Sequence, residues 1–164
     1  MKTLSTSFAF AAFFFCIFTG ISEAYTTTGQ FAYSPNGHMG IYMTEFTFGH
    51  GDHDVYIPVL ALRDQTIRED ALSYTVTDED GGIAEGTIAG IVASRATYKN
   101  GFYVVPRGTR ETFTLLTIFT PKSETSANYQ TAVTHLPFNF DGSQSLKLNP
   151  SELQYYVTPL LELK

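Results

Sequence analysis

Short apolar stretches rich in Thr, Val, Ile, Tyr and Phe follow one another between residues 41 and 160, and Gly, Pro, Asn and Asp separate them. β-Branched and aromatic side chains suit a pleated, half-buried surface, and turn residues at regular intervals mark strand ends. No stretch of helical length spaces its apolar residues as an amphipathic helix does. Because 164 residues with 43% hydrophobic content are enough for one core, the sequence predicts a single all-β domain that packs as a sandwich.

The number of such stretches predicts about seven to nine strands. Residues 72–77 alternate apolar and polar side chains, which is typical of a strand with one covered face, and 41–48 places Tyr42, Phe46 and Phe48 on one face. The expected strands are 41–48, 55–62, 72–77, 85–93, 97–99, 102–105, 112–120, 129–136 and 153–160.

Two of these strands carry irregular signals. In 112–120, Leu116 and Ile118 face away from the apolar side chains of the other face, so either both faces are covered or a bulge shifts the register. In 55–62, Pro58 has no N–H to donate to a neighbouring strand. We therefore expect 55–62 to lie at a sheet edge or to contain a bulge.

Turn residues give two further local predictions. Asn100-Gly101 separates two short strands and is the strongest short hairpin signal in the chain. Asn149-Pro150 precedes Leu153, and because Asn caps helices and Pro suits the first helical position, a short helical turn is expected over 149–153.

The N-terminal residues 1–24 have the pattern of a secretory signal peptide. Lys2 gives a positive start, 8–19 is apolar up to its terminal Thr, and Ser22 and Ala24 are the small residues that precede a cleavage point. An uncleaved N-terminal anchor is the alternative. Cleavage predicts a protein that is secreted or in the cell envelope, extracellular or periplasmic, with no membrane span and no Cys left in it.

The domain organisation follows from this cleavage. Residues 25–38 are polar and predict an extended or flexible segment, either a tether or a first strand that docks through Phe31 and Tyr33. Residues 39–164 contain the predicted sandwich.

Two motifs resemble those of small exported immunoglobulin-like or fibronectin-like β-sandwich modules of bacteria. The sequence reads D-V-Y-I-P at 54–58 and Y-x-V-x-x-G-x-x-x-x-F-T-L at 103–115, within a resemblance that extends over about residues 39–140. This resemblance implies an immunoglobulin-like antiparallel sandwich after the signal peptide. It also implies a role in adhesion, assembly or spacing, with no catalytic residues.

One loop suggests a metal site. His50, Asp52, His53 and Asp54 place two imidazoles and two carboxylates on a Gly-bearing loop, and these groups bind divalent ions such as zinc or copper. The alternative is a solvated loop between two strands. No other cofactor is expected.

A second acidic segment resembles part of a calcium loop. Asp78 and Asp80 flank Glu79 in front of Gly81, but the bidentate Glu of an EF-hand is missing. The alternative is an acidic turn that faces solvent.

Several function classes have no support. The net charge of -6 argues against nucleic acid, since phosphate binding needs clustered Lys and Arg. No motif places a nucleophile beside a base, so we expect no enzymatic activity.

The sequence therefore predicts a secreted, non-enzymatic β-sandwich for interaction or structural assembly at the cell surface or outside the cell. A protein partner, or a second copy, would pair with an exposed edge strand, 55–62 or 153–160. One alternative is a metal- or calcium-binding accessory protein that uses one of the two acidic loops. A weaker alternative is a carbohydrate-binding module that uses the ten Tyr rings.

Overall fold

The computed structural model describes residues 25–63, 67–141 and 145–164, so the expected signal peptide at 1–24 lies outside the described residues. The protein is all-β, as predicted, and in the described ranges its one helix is a single short turn. None of the helical structure in these ranges is long and apolar enough to cross a membrane. The elements are β1 (Tyr25–Tyr33), β2 (Gly40–Gly49), β3 (Val55–Pro58), β4 (Ala61–Arg63), β5 (Leu72–Asp78), β6 (Gly86–Ser94), β7 (Thr97–Lys99), β8 (Phe102–Val105), β9 (Arg110–Pro121), β10 (Ala127–His135), β11 (Pro137–Phe140), β12 (Leu146–Lys147), α1 (Pro150–Leu153) and β13 (Leu161–Leu163).

These strands form three sheets. The first sheet has the order β1-β2-β9-β6, the second β13-β10-β5-β4 and the third β12-β11-β3-β8-β7. Pairing is antiparallel except between β4 and β5. The chain passes between the second and third sheets three times: from β3 to β4, from β10 to β11, where Leu136 separates the two strands, and from β12 through α1 to β13.

The core lies between the first sheet and the other two. Near one end of the first sheet, Phe48 and Phe113 belong to a buried cluster with Phe138 of the third sheet. Near the other end, Tyr42 and Phe119 cluster with residues of the second sheet. The protein is thus a sandwich-like structure in which one layer is divided into two sheets.

β2 and β5 confirm the strand predictions for 41–48 and 72–77. In β2, Tyr42, Thr44, Phe46 and Phe48 are buried, and the residues that alternate with them are only half-buried. Phe46 stacks on Phe113 of β9 at a ring-centroid distance of 5.6 Å. Successive side chains of a strand point to opposite faces, so one face of β2 lies in the core and the other faces outward.

The hairpin at Asn100-Gly101 is also confirmed. It joins β7 to β8, and φ is 51° at Asn100 and 87° at Gly101. A two-residue hairpin turn with φ positive at both central positions is favoured by Asn followed by Gly, because Gly has no Cβ to clash there.

The sequence predicts either two covered faces or a bulge in 112–120, and the structure shows neither. β9 pairs with β2 and β6 in a continuous register, without a bulge. Its face with Phe113 and Phe119 is buried, whereas on the other face Leu116 is only half-buried and Ile118 is exposed. The outward face of this central strand is therefore apolar and open.

The expected strand 55–62 is two strands in different sheets. β3 has β11 on one side and β8 on the other, so it is not an exposed edge. It ends at Pro58, which has no N–H to continue the hydrogen bonding. The chain then enters β4, which is an edge strand but has only three residues. The prediction of 55–62 as one exposed edge strand is wrong.

The expected strand 153–160 is also wrong, whereas the helical turn before it is confirmed. α1 covers Pro150–Leu153, and the Asn149 N–H donates to the Glu152 carboxylate at 2.7 Å. Val157 then forms an isolated bridge with Ala132 of β10. Regular pairing returns only in β13, a three-residue strand at the edge of the second sheet.

Residues 25–33 form β1 and pair with β2, which favours a first strand over a tether. The predicted docking through Phe31 and Tyr33 is wrong, because both rings are exposed on the outward face. Ala32, between them, packs against the core instead. Backbone pairing with β2 and the small side chain of Ala32 hold the strand in place.

Candidate functional site

Three loops meet at one end of the sandwich, and backbone hydrogen bonds join them. The Gly108 N–H donates to the His50 carbonyl at 2.7 Å, and the Arg107 N–H donates to the Asp54 carboxylate at 2.9 Å. The Asp54 N–H in turn donates to the Asp141 carboxylate at 2.9 Å. The loop after β2 therefore serves as a fixed bridge between the loops that follow β8 and β11.

An aromatic group covers this end of the molecule. The ring centroids of His50 and His53 are 5.1 Å apart, and that of Phe140 lies 4.9 Å from His50 and 5.6 Å from His53. Phe140 stands in β11 and packs in turn against the buried core. The two imidazoles thus rest on an apolar ring instead of projecting freely into solvent.

His53 and Asp141 form an ion pair when the imidazole is protonated. The Nδ1 of His53 lies 2.6 Å from Oδ2 of Asp141. The hydrogen bond from His53, together with that from the Asp54 N–H, holds the pKa of the Asp141 carboxyl below its usual range. This contact joins two loops that the sequence places far apart.

Three of the four predicted ligand side chains of this loop, those of His50, His53 and Asp54, take part in internal hydrogen bonds. Nδ1 of His50 accepts the Asp52 N–H at 3.1 Å, while His53 and Asp54 bind Asp141 and Arg107 as described. Across the described ranges, no three side chains of His, Cys, Asp or Glu come together as a metal-binding group. Metal binding here stays a prediction, without support from this geometry.

Asp78 and Asp80 lie in the turn that follows β5. The carboxylate of Asp78 accepts the N–H of Asp80 at 3.1 Å and that of Gly82 at 2.7 Å. A Cβ at Gly82 would lie 2.8 Å from the same carboxylate, so Gly permits this close turn. Asp78 therefore stabilises its own turn, and calcium binding stays a prediction.

The exposed Tyr rings do not form one platform. Tyr33 lies on β1, Tyr98 on β7 in the other layer, and Tyr155 just after α1. Others are buried, and burial together with nearby Tyr129 raises the pKa of the Tyr42 hydroxyl above its usual range. Core packing accounts for the buried rings, and carbohydrate binding stays a prediction.

The outward face of the first sheet has a feature that the sequence reasoning missed. Strand register places apolar side chains side by side across all four strands in two neighbouring rows. We call these rows together the apolar band. One row is Phe31, Met43, Leu116 and Ile91, and the next is Tyr33, Ile41, Ile118 and Ala89.

The apolar band is open to solvent at both edges of the sheet. Phe31 is 53% and Tyr33 50% exposed on β1, Ile91 is 57% exposed on β6, and Ile118 is 37% exposed on β9. The band therefore exposes on the order of 400 Å² of apolar side chain. Exposed patches of a few hundred Å² on soluble proteins often mark contact sites.

Polar rows border the band, and no charged residue lies in it. On one side Glu45 and Thr114 are cross-strand neighbours, and on the other side Thr87 is paired with Thr120. An uncharged apolar centre with polar margins resembles the anatomy of a protein interface.

A signal for the band was present in the sequence, in the apolar residues on both faces of β9. It could not be read without the pairing of four strands that are distant in the chain. The sequence matches no protein family, and a comparison with curated proteins finds no match.

Proposed function

We propose that this chain is a secreted, non-enzymatic β-sandwich protein that makes a protein contact through the apolar band. The contact would serve interaction or structural assembly at the cell surface or outside the cell. The observation that carries the proposal is the pair of apolar rows that crosses the whole outward face of the first sheet. An immunoglobulin-like form of the sandwich and a cleaved signal peptide at 1–24 are parts of the same proposal.

The size of the band supports a contact of moderate strength. Removing about 400 Å² of apolar surface from water contributes about 10 kcal/mol before costs. Association of two proteins costs about 4–15 kcal/mol in lost freedom. The band is thus suited to be the centre of an interface whose polar margin supplies the remaining interactions.

The loop end supports a contact less well. His53 and Asp141 bind each other, the His50 and Asp54 side chains accept backbone N–H groups, and the aromatic group consists of three rings. Over the described ranges, by contrast, several outward side chains of the apolar band are exposed, and contact with a partner would remove that surface from water.

Site-specific photo-crosslinking tests the proposed contact. We would place a benzoyl-phenylalanine at Phe31 in the band or, as the control, at Tyr98, which is 64% exposed on the other layer. Both positions are exposed aromatic residues on strands. The host would express the full chain, and mass spectrometry of the secreted product should find Tyr25 as its first residue.

The expected result is a covalent adduct from position 31 and none from position 98. The mass of the adduct distinguishes a second copy of this chain from another protein. Adducts from both positions in equal amount, or from neither, would overturn the proposal. A product that retains Met1 would overturn its secretory part.

A further inference from the structure

The edges of the three sheets differ in how well they are protected. An unpaired edge strand presents N–H and C=O groups to which another chain can bind, and proteins shorten, charge or cover such edges. β4, β7, β12 and β13 are edge strands of two or three residues. Only β1 and β6, both in the first sheet, are longer edges among the strands described.

Side chains from other strands cover the edge of β6. The Arg63 guanidinium donates to the Ala84 carbonyl at 2.7 Å and reaches the Gly86 carbonyl at 3.5 Å. Further along, the Tyr103 hydroxyl donates to the Val92 carbonyl at 3.2 Å. Of these carbonyl groups, Ala84 lies just before β6, and Gly86 and Val92 lie near its two ends, so the edge of β6 is partly occupied.

In the described ranges β1 lacks these protections of its backbone; the Gln30 side chain donates to the Tyr155 carbonyl at 2.7 Å, a contact that uses no backbone group of the strand. Its sequence from Tyr25 to Tyr33 contains no charged residue and no Pro. Its described pairing is with β2 alone. One irregularity lies between Thr27 and Gly29, and from Gly29 to Tyr33 the register is regular. This regular part is an uncharged template for an additional strand.

We propose that two copies of this chain associate by antiparallel pairing of the regular part of β1, which joins their first sheets into one continuous sheet. This inference rests on the proposed function and names the partner as a second copy. Phe31 is the central residue of the regular part. Antiparallel pairing of identical strands about a two-fold axis at Phe31 makes the contact self-complementary.

The side chains fit this arrangement. Phe31 lies opposite the partner's Phe31, and aromatic cross-strand pairs stabilise antiparallel sheets. Tyr33 lies opposite the partner's Gly29, where an aromatic ring covers a glycine that has no side chain of its own. The two apolar bands then become one band that crosses both molecules.

Charge and size determine the expected strength. Each chain has a net charge of -6, so two copies repel at long range, while the contact segment itself is neutral. Salt screens that repulsion, and the dimer should therefore tighten as ionic strength rises. Five paired residues bury well under the roughly 800 Å² per partner of a standard interface, so we expect reversible association that depends on concentration.

Sedimentation velocity over a concentration series tests the proposal, on protein secreted from a host that expresses the full chain. The variant is Phe31→Lys, and its matched control is Ile91→Lys. The two residues stand in the same row, on the same face and with similar exposure, but at opposite edges of the sheet. We expect the unchanged protein to form a dimer. Phe31→Lys should raise the dissociation constant of the dimer by about tenfold or more, and Ile91→Lys should leave it unchanged.

Circular dichroism checks that both variants fold. Hydrogen exchange of the unchanged protein gives a second readout, since the amides of 29–33 should exchange more slowly at high protein concentration. An equal rise of the dimer dissociation constant in both variants would indicate face-to-face stacking of the bands and would overturn edge pairing. A protein that stays monomeric at every concentration, with unchanged exchange in 29–33, would also overturn it.

The two proposals fail separately. If the unchanged protein is monomeric but position 31 crosslinks to a different protein, the proposed function stands and the second copy does not. If it is monomeric and position 31 gives no adduct, both are wrong.

Discussion

Substitution of Gly90 by Ala tests the packing between the first and second sheets. Gly90 lies on β6, and a Cβ built on it would stand 2.4 Å from the hydroxyl oxygen of Tyr74 and 2.5 Å from Cε1 and Cζ of the same ring. Tyr74 is buried in the core, so its ring has no solvent into which to move. The close approach of a ring to the backbone explains why Gly stands at this position.

We expect Gly90→Ala to lower the free energy of unfolding by about 2 kcal/mol. Overpacking a filled core costs about 1–3 kcal/mol, and an approach to 2.4 Å from a buried ring places this substitution at the upper end of that range. The replacement of Gly in a strand recovers about 0.5–1 kcal/mol, which leaves the clash as the larger effect. For a domain of this size, the midpoint of thermal unfolding should fall by about 6 °C.

Urea unfolding followed by circular dichroism measures this change. Gly51→Ala is the control, because a Cβ there meets nothing within 4 Å, and it should change the free energy by less than about 0.5 kcal/mol. Tyr74→Phe should not relieve Gly90→Ala, since Cε1 and Cζ remain. Tyr74→Leu removes these atoms, so the double variant should be more stable than the two single changes predict when summed. A Gly90→Ala protein as stable as the Gly51→Ala protein would refute the packing argument.

Two further predictions concern single loops. Because the pKa of Asp141 is lowered in the folded protein by the hydrogen bonds from His53 and the Asp54 N–H, its contribution to stability is present above the unfolded pKa and is lost as pH falls through the folded one. Urea unfolding in the acidic range should therefore show a smaller loss of stability for Asp141→Asn than for the unchanged protein, and equal losses would contradict this linkage. Gly101→Val should destabilise the protein by about 1–2 kcal/mol in the same assay, because a β-branched residue is strained at φ 87°; at the exposed Gly51, the matched Val substitution should cost less.

Strands with one apolar face could be predicted because the signal lies within a few residues. β2 has large apolar residues at 42, 46 and 48 and β5 has them at 72, 74 and 76, and a strand is the structure that brings such residues to one face. The Asn100-Gly101 hairpin is local in the same way, since the two residues themselves adopt the required φ values.

Continuous apolar runs could not be divided from the sequence. Residues 55–62 contribute to two sheets, and what separates the halves is which distant strands they meet, β8 and β11 for one and β5 for the other. The stretch 153–160 is apolar enough for a strand, but the capped turn at α1 and a single bridge to Ala132 determine its path.

The loop end shows the same limit for candidate sites. The nearness of His50 and His53 follows from their spacing. The groups that engage them come from elsewhere, and Asp141 lies 88 residues beyond His53 in the chain. No pattern within the loop indicates that this carboxylate stands beside the imidazole instead of a metal ion.

The amino-acid sequence by itself determined which side chains of each alternating strand share a face, because that depends only on the two-residue period of the strand. Only the tertiary structure decided which of two apolar faces is buried. β9 has Phe113 and Phe119 on one side and Leu116 and Ile118 on the other, and the covering layer lies over the first pair. Hydrophobic burial has no preferred direction. The layer that the other strands form therefore selects which face of β9 lies in the core, and the opposite face becomes part of the apolar band.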